Sequence, residues 1–313
     1  MKLSHDEIPI LLGPTAIGKT AISIPLAHRL SAEIISADSR QVYIGLDIGT
    51  AKPSMEELDG IPHHLIDIVP PTADFTVADF QRLAFDKMGE ILSRDKKPLI
   101  VGGTGLYIRA LTDRPGYQDL PPIPGLREEI LEDIQDRGAE AVYKELREFD
   151  PDAASRIHPN NIPRLVRAVE VVRATGRPFS DAVKADRERE HEPGQAWRLI
   201  GLNMERDLLY DRINRRVLKM MDAGWVDEVR SLLDSGLSGN EKPLAGLGYR
   251  DIVAHVRGEK SFDEAVETIQ RDTRRFAKRQ ITFFRGMKDI EWIDLAPDFD
   301  PEKVANDILA EIS

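Results

Sequence analysis

The sequence predicts an α/β protein in which a parallel sheet is wrapped by helices and the chain of the core is interrupted by a helical insertion. Two observations predict this class. Short apolar runs alternate with helical patterns over residues 8–103, and the alternation stops after about Leu111, before strand character returns at 197–204. Runs that are apolar on both faces are typical of buried parallel strands.

The predicted elements follow in chain order. Strands are expected at residues 8–13, 32–38, 64–69 and 98–103, with helices at 18–30 and 76–94. The proline-rich stretch 112–125 indicates a boundary, and 126–185 has helical patterns without a good strand. A strand at 197–204, helices at about 206–223 and 261–285, and a last strand at 290–294 complete the chain. We therefore expect a core of residues 1–113 and 195–313 and an insertion domain of residues 114–194.

Composition narrows the class of protein. Of 313 residues, 41% are hydrophobic and 31% charged, which is ordinary for a soluble globular chain. No run of eighteen apolar residues and no signal-peptide pattern is visible, so we expect no membrane contact. The chain has no cysteine, which excludes disulfides and fits the cytoplasm. The net charge of −11 argues against a nucleic-acid partner unless the basic residues are clustered.

The strongest motif is GPTAIGKT, which follows the first strand and opens the first helix. It matches G-x-x-x-x-G-K-[ST], the phosphate-binding loop of P-loop NTPase-like folds. Its backbone N–H groups and helix N-terminus bind phosphate, Lys19 reaches the terminal phosphate, and the Thr20 hydroxyl ligates Mg²⁺. The predicted nucleotide- or diphosphate-binding residues are Gly13, Pro14, Thr15, Ala16, Ile17, Gly18, Lys19 and Thr20. The motif predicts a di- or triphosphate with Mg²⁺ but does not say which group moves.

Asp38 ends the second predicted strand. Ligands of such sheets bind at the carboxyl ends of the strands, so we expect Asp38 beside the phosphate loop. Three roles stay open from the pattern: a ligand of Mg²⁺, a general base toward an incoming nucleophile, or a turn or helix-cap residue.

Basic residues cluster in two segments. Residues 153–178 carry five arginines against one glutamate, and 271–285 carry six basic residues against one aspartate. Arg164 and Arg167 are three apart and share a helix face. An acidic protein binds RNA when its basic segments share a face. The alternative is that both segments are solvated helix faces.

The ordered set of motifs resembles the bacterial-type tRNA dimethylallyltransferases, the isopentenyl-diphosphate:tRNA isopentenyltransferase family. After the phosphate loop come ADSRQVYIGLDIGTAKP, PHHLID, VGGTGLYIRAL, RIHPNNIPRLVRAVEVVRATGRP, LYDRINRRV, GLGYRDI and AKRQITFFRG. The resemblance runs in order from residue 11 to about 294, nearly the whole chain.

The resemblance implies transfer of a dimethylallyl group from dimethylallyl diphosphate to N6 of the adenosine just 3′ of the anticodon in tRNA, with Mg²⁺. It implies that Thr15, Gly18, Lys19 and Thr20 hold diphosphate and Mg²⁺, and that Asp38 accepts a hydrogen bond or proton from the adenine amine. Thr104 would lie by the reacting centre and Arg212 would pair with diphosphate. The residues expected to touch tRNA are Asp38, Ser39, Arg40, Gln41, Arg127, Pro163, Arg164, Leu165, Val166 and Arg167. We expect a monomer.

Other functions share part of this pattern. A P-loop small-molecule kinase would use the same first forty residues, with Asp38 as base toward a hydroxyl. A prenyltransferase of free adenine nucleotides would share the phosphate loop but would need the basic segments less. A third alternative is a nucleotide-gated binding module without catalysis. The intact GKT and the aspartate at the end of the second strand disfavour it.

Overall fold

A computed structural model describes residues 7–112, 123, 125–181 and 196–312 of the chain. The chain divides into two compact units. The first comprises Met1–Thr112 and Pro193–Ser313, and the second comprises Asp113–Glu192. Each unit is described by itself.

The first unit contains a parallel sheet with strand order β3-β2-β4-β1-β5-β6. In chain order the strands are β1 (Glu7–Leu12), β2 (Ala32–Ala37), β3 (His63–His64), β4 (Lys97–Gly102), β5 (Ala196–Met204) and β6 (Ile290–Leu295). The central strand β1 pairs on both sides, with Ile10 opposite Ile100 of β4 and Leu199 of β5. The carboxyl ends of β1, β2 and β4 therefore lie at one edge of the sheet, as the sequence predicts.

Helices cover both faces of this sheet. They are α1 (Lys19–Leu30), α2 (Val77–Leu92), α3 (Gly105–Thr112), α8 (Arg206–Asp222), α9 (Trp225–Asp234), α10 (Tyr249–Val256), α11 (Phe262–Arg285) and α12 (Pro301–Ile312). Successive residues of β1 enter different apolar clusters, with Ile10 and Leu12 in one and Leu11 in the other. This alternation is what a strand buried on both faces produces. No helix in the described ranges is long and apolar enough to cross a bilayer.

The predicted strand at 64–69 is wrong in extent, because β3 ends at His64. Leu65 and Asp67 have left-handed backbones, with φ of 63° and 54°, and such residues cannot continue a strand. The segment still passes along the sheet, since Val69 forms an isolated parallel bridge with Tyr43. Leu65 is buried in the core, so its hydrophobicity reflects packing in a turn.

The second unit is helical in its described part. Its helices are α4 (Leu126–Arg137), α5 (Ala139–Phe149), α6 (Pro151–Ala154) and α7 (Ile162–Thr175). Leu165 and Val166 of α7 are 0% and 1% exposed and pack in this unit's core with Ile130, Val142 and Leu146. Both side chains face inward on the apolar side of their helix, so Leu165 and Val166 could meet tRNA only through their backbone, and contact between the 163–167 segment and tRNA stays a prediction.

Candidate active site

A cavity of about 2210 Å³ opens at the carboxyl edge of the sheet in the first unit. The phosphate loop, the segment 38–41 after β2 and Gly103–Thr104 after β4 contribute to its walls. Faces of α8 and α11 also line it. The cavity exceeds the roughly 300–1,000 Å³ typical of small-ligand pockets, so it has room for a diphosphate donor together with a nucleobase.

The phosphate loop presents open backbone donors to this cavity. Gly18 is the N-cap of α1, with φ 110°, and no side chain hydrogen-bonds to the first amides of the helix. Ala16 also has a left-handed backbone, with φ 64°. These two turns curl the loop so that the amides at the start of α1 stay available to an anion. The loop that the sequence predicts to bind diphosphate thus has the backbone geometry of an anion site.

Gln280 of α11 fixes the loop to the sheet. Its Oε1 accepts a hydrogen bond from the Thr15 N–H at 2.9 Å, and its Nε2 donates to the Gly103 carbonyl at 2.8 Å. Gln280 is 8% exposed, so both bonds are shielded from water. A side chain at Gly103 would lie 2.6 Å from Nε2, so only glycine permits this approach. The sequence analysis missed Gln280, because nothing in AKRQITFFRG distinguishes it from a surface glutamine.

Lys19 folds back over the loop that contains it. Its ammonium donates hydrogen bonds to the carbonyls of Gly13 at 3.0 Å and Pro14 at 2.8 Å. Burial is the main cause that lowers the pKa of Lys19 to about 7; the Asp38 carboxylate opposes this shift and Arg216 adds to it. A bound diphosphate would add negative charge and so favour the charged ammonium.

Asp38 lines the cavity, and its two carboxylate oxygens differ in their hydrogen bonding. Its Oδ1 accepts from the N–H groups of Arg40 at 2.8 Å and Gln41 at 3.3 Å, which is the geometry of an Asx turn. Its Oδ2 forms no hydrogen bond with any residue in the described ranges. The turn role left open by the sequence is therefore real, and it leaves the second oxygen of this cavity-lining residue available as an acceptor.

Thr104 joins the ends of β2 and β4. Its hydroxyl accepts from the Ser39 N–H at 3.0 Å and lies 3.3 Å from the Ser39 hydroxyl, and its own N–H donates to Ala37. Thr104 and Asp38 line the same cavity. The structure thus brings Asp38, Thr104 and the phosphate loop together.

Two arginines of α8 face this region in different ways. Arg212 donates from Nε to the Ala16 carbonyl at 3.0 Å, and its guanidinium lies 5.3 Å from the centre of the Phe299 ring. Arg212 therefore supports the phosphate loop, and it also lines the cavity. Arg216, one turn later, has no hydrogen bond or ion pair with any residue the structure describes, and it lines the cavity. Burial lowers the pKa of Arg216, and the carboxylates of Asp38 and Glu57 partly oppose this shift. The RINRR spacing, with arginines four apart, is the signal that could have identified it.

The remaining residues of segment 38–41 also line the cavity. Arg40 donates to the Lys242 carbonyl at 3.0 Å, and its guanidinium packs on Gly246, where a Cβ would lie 2.6 Å away. Gln41 accepts from Ser36 at 3.1 Å. Arg40 and Gln41 thus stabilise the wall as well as bordering the cavity.

A carboxylate from α9 holds another part of the wall. Glu228 accepts hydrogen bonds from three consecutive N–H groups, those of Asp47, Ile48 and Gly49, at 2.8, 2.6 and 3.3 Å. It also accepts from the Tyr249 hydroxyl at 2.6 Å. This one side chain fastens the DIGTAK segment, which lines the cavity.

The oxygen donors present fit a magnesium ion held mainly by phosphate. Thr20 is exposed to the cavity in the first turn of α1, and the open Asp38 oxygen lies in the same cavity. Mg²⁺ is commonly bound by one or two protein oxygens together with substrate phosphates and water. No cluster of three or more His, Cys, Asp or Glu suited to a metal occurs within residues 7–112, 123, 125–181 and 196–312.

The other residues expected to contact tRNA belong to the second unit. Pro163 and Arg164 are exposed at the start of α7. Arg127 and Arg167 both pair with Glu170, at 3.1 and 3.6 Å. Arg164 therefore presents its charge most openly, while the other two are partly neutralised. Their contact with RNA stays a prediction.

The chain is similar to known proteins over nearly its whole length. A family model described as IPP transferase matches residues 41–287, and one described as isopentenyl transferase matches residues 6–70. The chain is 45% identical over 313 residues to a tRNA dimethylallyltransferase of Bacillus licheniformis, covering 100% of this chain and 98% of the relative. It is 47% identical over 291 residues to one of Alkaliphilus metalliredigens, covering 92% of each.

Solved structures agree in fold. The crystal structure of the full-length tRNA isopentenylpyrophosphate transferase of Bacillus halodurans aligns with a TM-score of 0.71 at 41% identity, covering 98% of this chain and 95% of that one. A eukaryotic dimethylallyltransferase acting on tRNA aligns with a TM-score of 0.79 at 24% identity, covering 98% and 80%, and supports the fold.

Proposed function

The chain belongs to the IPP transferase family, and from this we propose that it transfers a dimethylallyl group from dimethylallyl diphosphate to N6 of the adenosine 3′-adjacent to the anticodon in tRNA, releasing diphosphate. One observation carries the proposal. The open oxygen of Asp38 shares a cavity with the uncapped amides of the phosphate loop. This supports the proposal, because transfer from a diphosphate donor to an amine needs an anion-binding loop and a proton acceptor within reach of one cavity.

In this mechanism the phosphate loop binds the diphosphate of the donor. The amides at the start of α1 and the Lys19 ammonium stabilise the negative charge that grows as the allylic C–O bond breaks. We propose that Arg216, with its unpaired guanidinium, contacts the diphosphate, and that Arg212 acts mainly by holding Ala16. Mg²⁺, held by Thr20 and phosphate oxygens, would supply further charge neutralisation when bound.

Asp38 acts on the acceptor. An exocyclic adenine amine is a poor nucleophile, because its lone pair is delocalised into the ring. The open Asp38 oxygen accepts a hydrogen bond from this amine and orients it toward the allylic carbon. As the N–C bond forms, the surplus proton of the amine passes to the same oxygen. Thr104 keeps the Asp38 segment in place through Ser39.

The adenosine must leave its stack to reach this cavity. Loop bases are splayed out at modest energetic cost, so an anticodon-loop substrate suits the depth of the site. We propose that segment 38–41 contacts the flipped nucleotide and that Arg127, Pro163, Arg164 and Arg167 of the second unit contact other parts of the tRNA. We also propose that the enzyme acts in the cytoplasm, as a monomer.

The test is incubation with dimethylallyl diphosphate, Mg²⁺ and unmodified tRNA, followed by mass analysis of the nucleosides. We expect one adenosine per substrate tRNA to gain a five-carbon unit, located 3′ of the anticodon by fragment mapping. Parallel reactions with AMP as acceptor, and with ATP in place of the prenyl donor, test the other two functions. Prenylated AMP without modified tRNA, or consumption of ATP with a small acceptor, would overturn the proposal.

A further inference from the structure

The last connection of the first unit returns to the phosphate loop. Residues 296–300, which we call the C-terminal connection, join β6 to α12. Pro297 within it and Pro301 just beyond it line the same cavity as the loop. Between them, Phe299 is partly buried against an apolar cluster that includes Ile17 of the loop. The series of sequence motifs ends at about residue 294, so no motif gives this connection a role.

The ring of Phe299 touches the phosphate loop at Gly18. A Cβ at Gly18 would lie 2.5 Å from the Cζ atom of the ring and 3.3 and 3.4 Å from its two Cε atoms, so the tip of the ring points at this glycine. Gly18 is also the N-cap of α1, directly before the amides that no side chain caps. Phe299 therefore packs against the point of the loop from which its anion-binding donors begin.

The face of the same ring supports Arg212. The guanidinium carbon lies 5.3 Å from the ring centre, a distance at which a cation is attracted to an aromatic face. Arg212 donates from Nε to the Ala16 carbonyl and from Nη1 to the Pro297 carbonyl, at 3.0 and 3.4 Å. One arginine thus ties the loop to the C-terminal connection. Ala16 and Gly18, whose left-handed backbones curl the loop, are both held by this arrangement.

The C-terminal connection is itself anchored at both ends. Before it, β6 pairs with β5 in the sheet. After it, α12 packs on α1, where Arg29 donates to Asn306 at 2.6 Å and pairs with Glu302. Because both anchors are fixed, the ring of Phe299 has little freedom to leave the loop.

We propose that Phe299 is a positioning residue for the diphosphate of the prenyl donor. Its ring holds Gly18, and through Arg212 also Ala16, in the conformation that presents the loop amides to phosphate. The proposal rests on the proposed function. Phe299 does not itself line the cavity, so it acts on the ligand only through the loop. A loop that is already ordered binds without the free-energy cost of ordering it, so loss of the ring should weaken diphosphate binding and leave tRNA binding unchanged.

The same region provides a matched control. Ile308 of α12 belongs to the apolar cluster against which Phe299 packs and is 0% exposed, but it does not line the cavity. Ile308→Val removes one methyl group from this cluster and leaves the ring on Gly18 and Arg212. It therefore measures what a small loss of packing does by itself, and it should bind diphosphate as the wild type does.

Two substitutions at Phe299 disturb the contact in opposite ways. Phe299→Leu keeps an apolar side chain in the cluster but withdraws the ring tip from Gly18 and the ring face from Arg212. Phe299→Tyr keeps the ring and adds a hydroxyl on Cζ, the atom nearest to Gly18, where the oxygen would crowd this glycine. Both should shift the loop. Because the tyrosine keeps the ring in the cluster, it decides the question if the leucine variant does not fold.

The experiment uses the full chain at pH 6, where the Lys19 ammonium is charged. It measures binding of inorganic diphosphate with Mg²⁺ by calorimetry, binding of tRNA, and the steady-state kinetics of prenyl transfer, with urea unfolding to show that each variant is folded. We expect both Phe299 variants to weaken diphosphate binding by roughly 10-fold, about what the loss of one hydrogen bond to a charged group costs. The KM for the prenyl donor should rise by a similar factor, whereas kcat and tRNA affinity should stay at their wild-type values.

The outcomes separate the positioning role from the function. A folded Phe299→Leu or Phe299→Tyr variant that binds diphosphate as tightly as the wild type refutes the positioning role, and the proposed function stands if the wild type prenylates tRNA. An equal loss of diphosphate affinity in Ile308→Val, or a parallel loss of tRNA affinity in the Phe299 variants, would show general loosening of the unit and would also refute the role. If the wild type binds no diphosphate and modifies no tRNA, the proposed function fails and this inference fails with it.

Discussion

The lowered pKa of Lys19 predicts a specific pH dependence of donor binding. Burial lowers the pKa of Lys19 to about 7 in the free protein, far below the 10.5 of an exposed lysine. Diphosphate favours the charged ammonium and so raises this pKa in the complex. Below pH 7 the free protein already carries the charge. Above pH 7 binding must take up a proton, so donor affinity falls as the pH rises.

The magnitude follows from the titration curve. A lysine with a pKa of about 7 is about 90% charged at pH 6 and about 10% charged at pH 8, so the Lys19 contribution to affinity falls about tenfold between these values. The donor titrates as well, so the useful quantity is the dissociation constant of Lys19→Gln divided by that of the wild type. This ratio cancels the donor's own ionisation and should be about ten times larger at pH 6 than at pH 8.

The assay is isothermal calorimetry with dimethylallyl diphosphate and Mg²⁺, in buffers of different ionisation enthalpy. At pH 8 the wild type should take up about nine-tenths of a proton more on binding than Lys19→Gln. Asp38→Asn should move the midpoint of the curve to lower pH, because the Asp38 carboxylate favours the charged lysine. A ratio that stays flat from pH 6 to pH 8 would mean that Lys19 is charged throughout, and the reasoning from burial would be refuted.

Three further predictions concern the rest of the site. Asp38→Asn should lower the single-turnover rate of prenyl transfer by a factor on the order of 10²–10⁴, with donor affinity at pH 6 nearly unchanged. A large loss of donor affinity together with a higher Mg²⁺ requirement would instead make Asp38 a metal ligand. Gln280→Leu leaves two buried backbone groups unpaired, so the free energy of unfolding measured in urea should drop by about 2–4 kcal/mol, and donor binding should weaken. Gln280→Glu keeps the acceptor for the Thr15 N–H, so it should bind donor better than Gln280→Leu. Charge reversal of Arg164 and Arg167 should raise the KM for tRNA and flatten its salt dependence without changing donor affinity, and an unaltered KM would remove α7 from the RNA contact.

The sequence was most informative where one local pattern determines structure. Apolar runs located β1, β2, β4 and β5 to within one residue, because a strand buried on both faces has few polar positions. The phosphate loop needs only its glycines and the following helix, so its motif is readable as a continuous string. The strand predicted at 64–69 failed because Leu65 and Asp67 are left-handed. Their backbone conformation depends on neighbours, among them Lys52, whose ammonium pairs with Asp67.

The residues that sequence analysis missed act across long separations. Gln280 contacts Thr15, and Glu228 contacts residues 47–49, through side-chain-to-backbone bonds that leave no local pattern. Arg216 differs from Arg212 only in what surrounds it, since both occupy the same helix face. Leu165 and Val166 stand between two arginines in the sequence, and only the packing of α7 shows that they point inward.

The bond between Thr15 and Gln280 also bears on how the protein is made. The two residues are 265 positions apart, and Glu228 is about 180 positions from the turn it fastens. A ribosome produces the phosphate loop well before its fastening glutamine, and domains fold from the N-terminus as they emerge. During synthesis GPTAIGKT therefore exists without the contact that fixes it until 265 further residues have been added. Diphosphate affinity should consequently appear only after Gln280 has been translated, so that a shorter nascent chain does not sequester the donor.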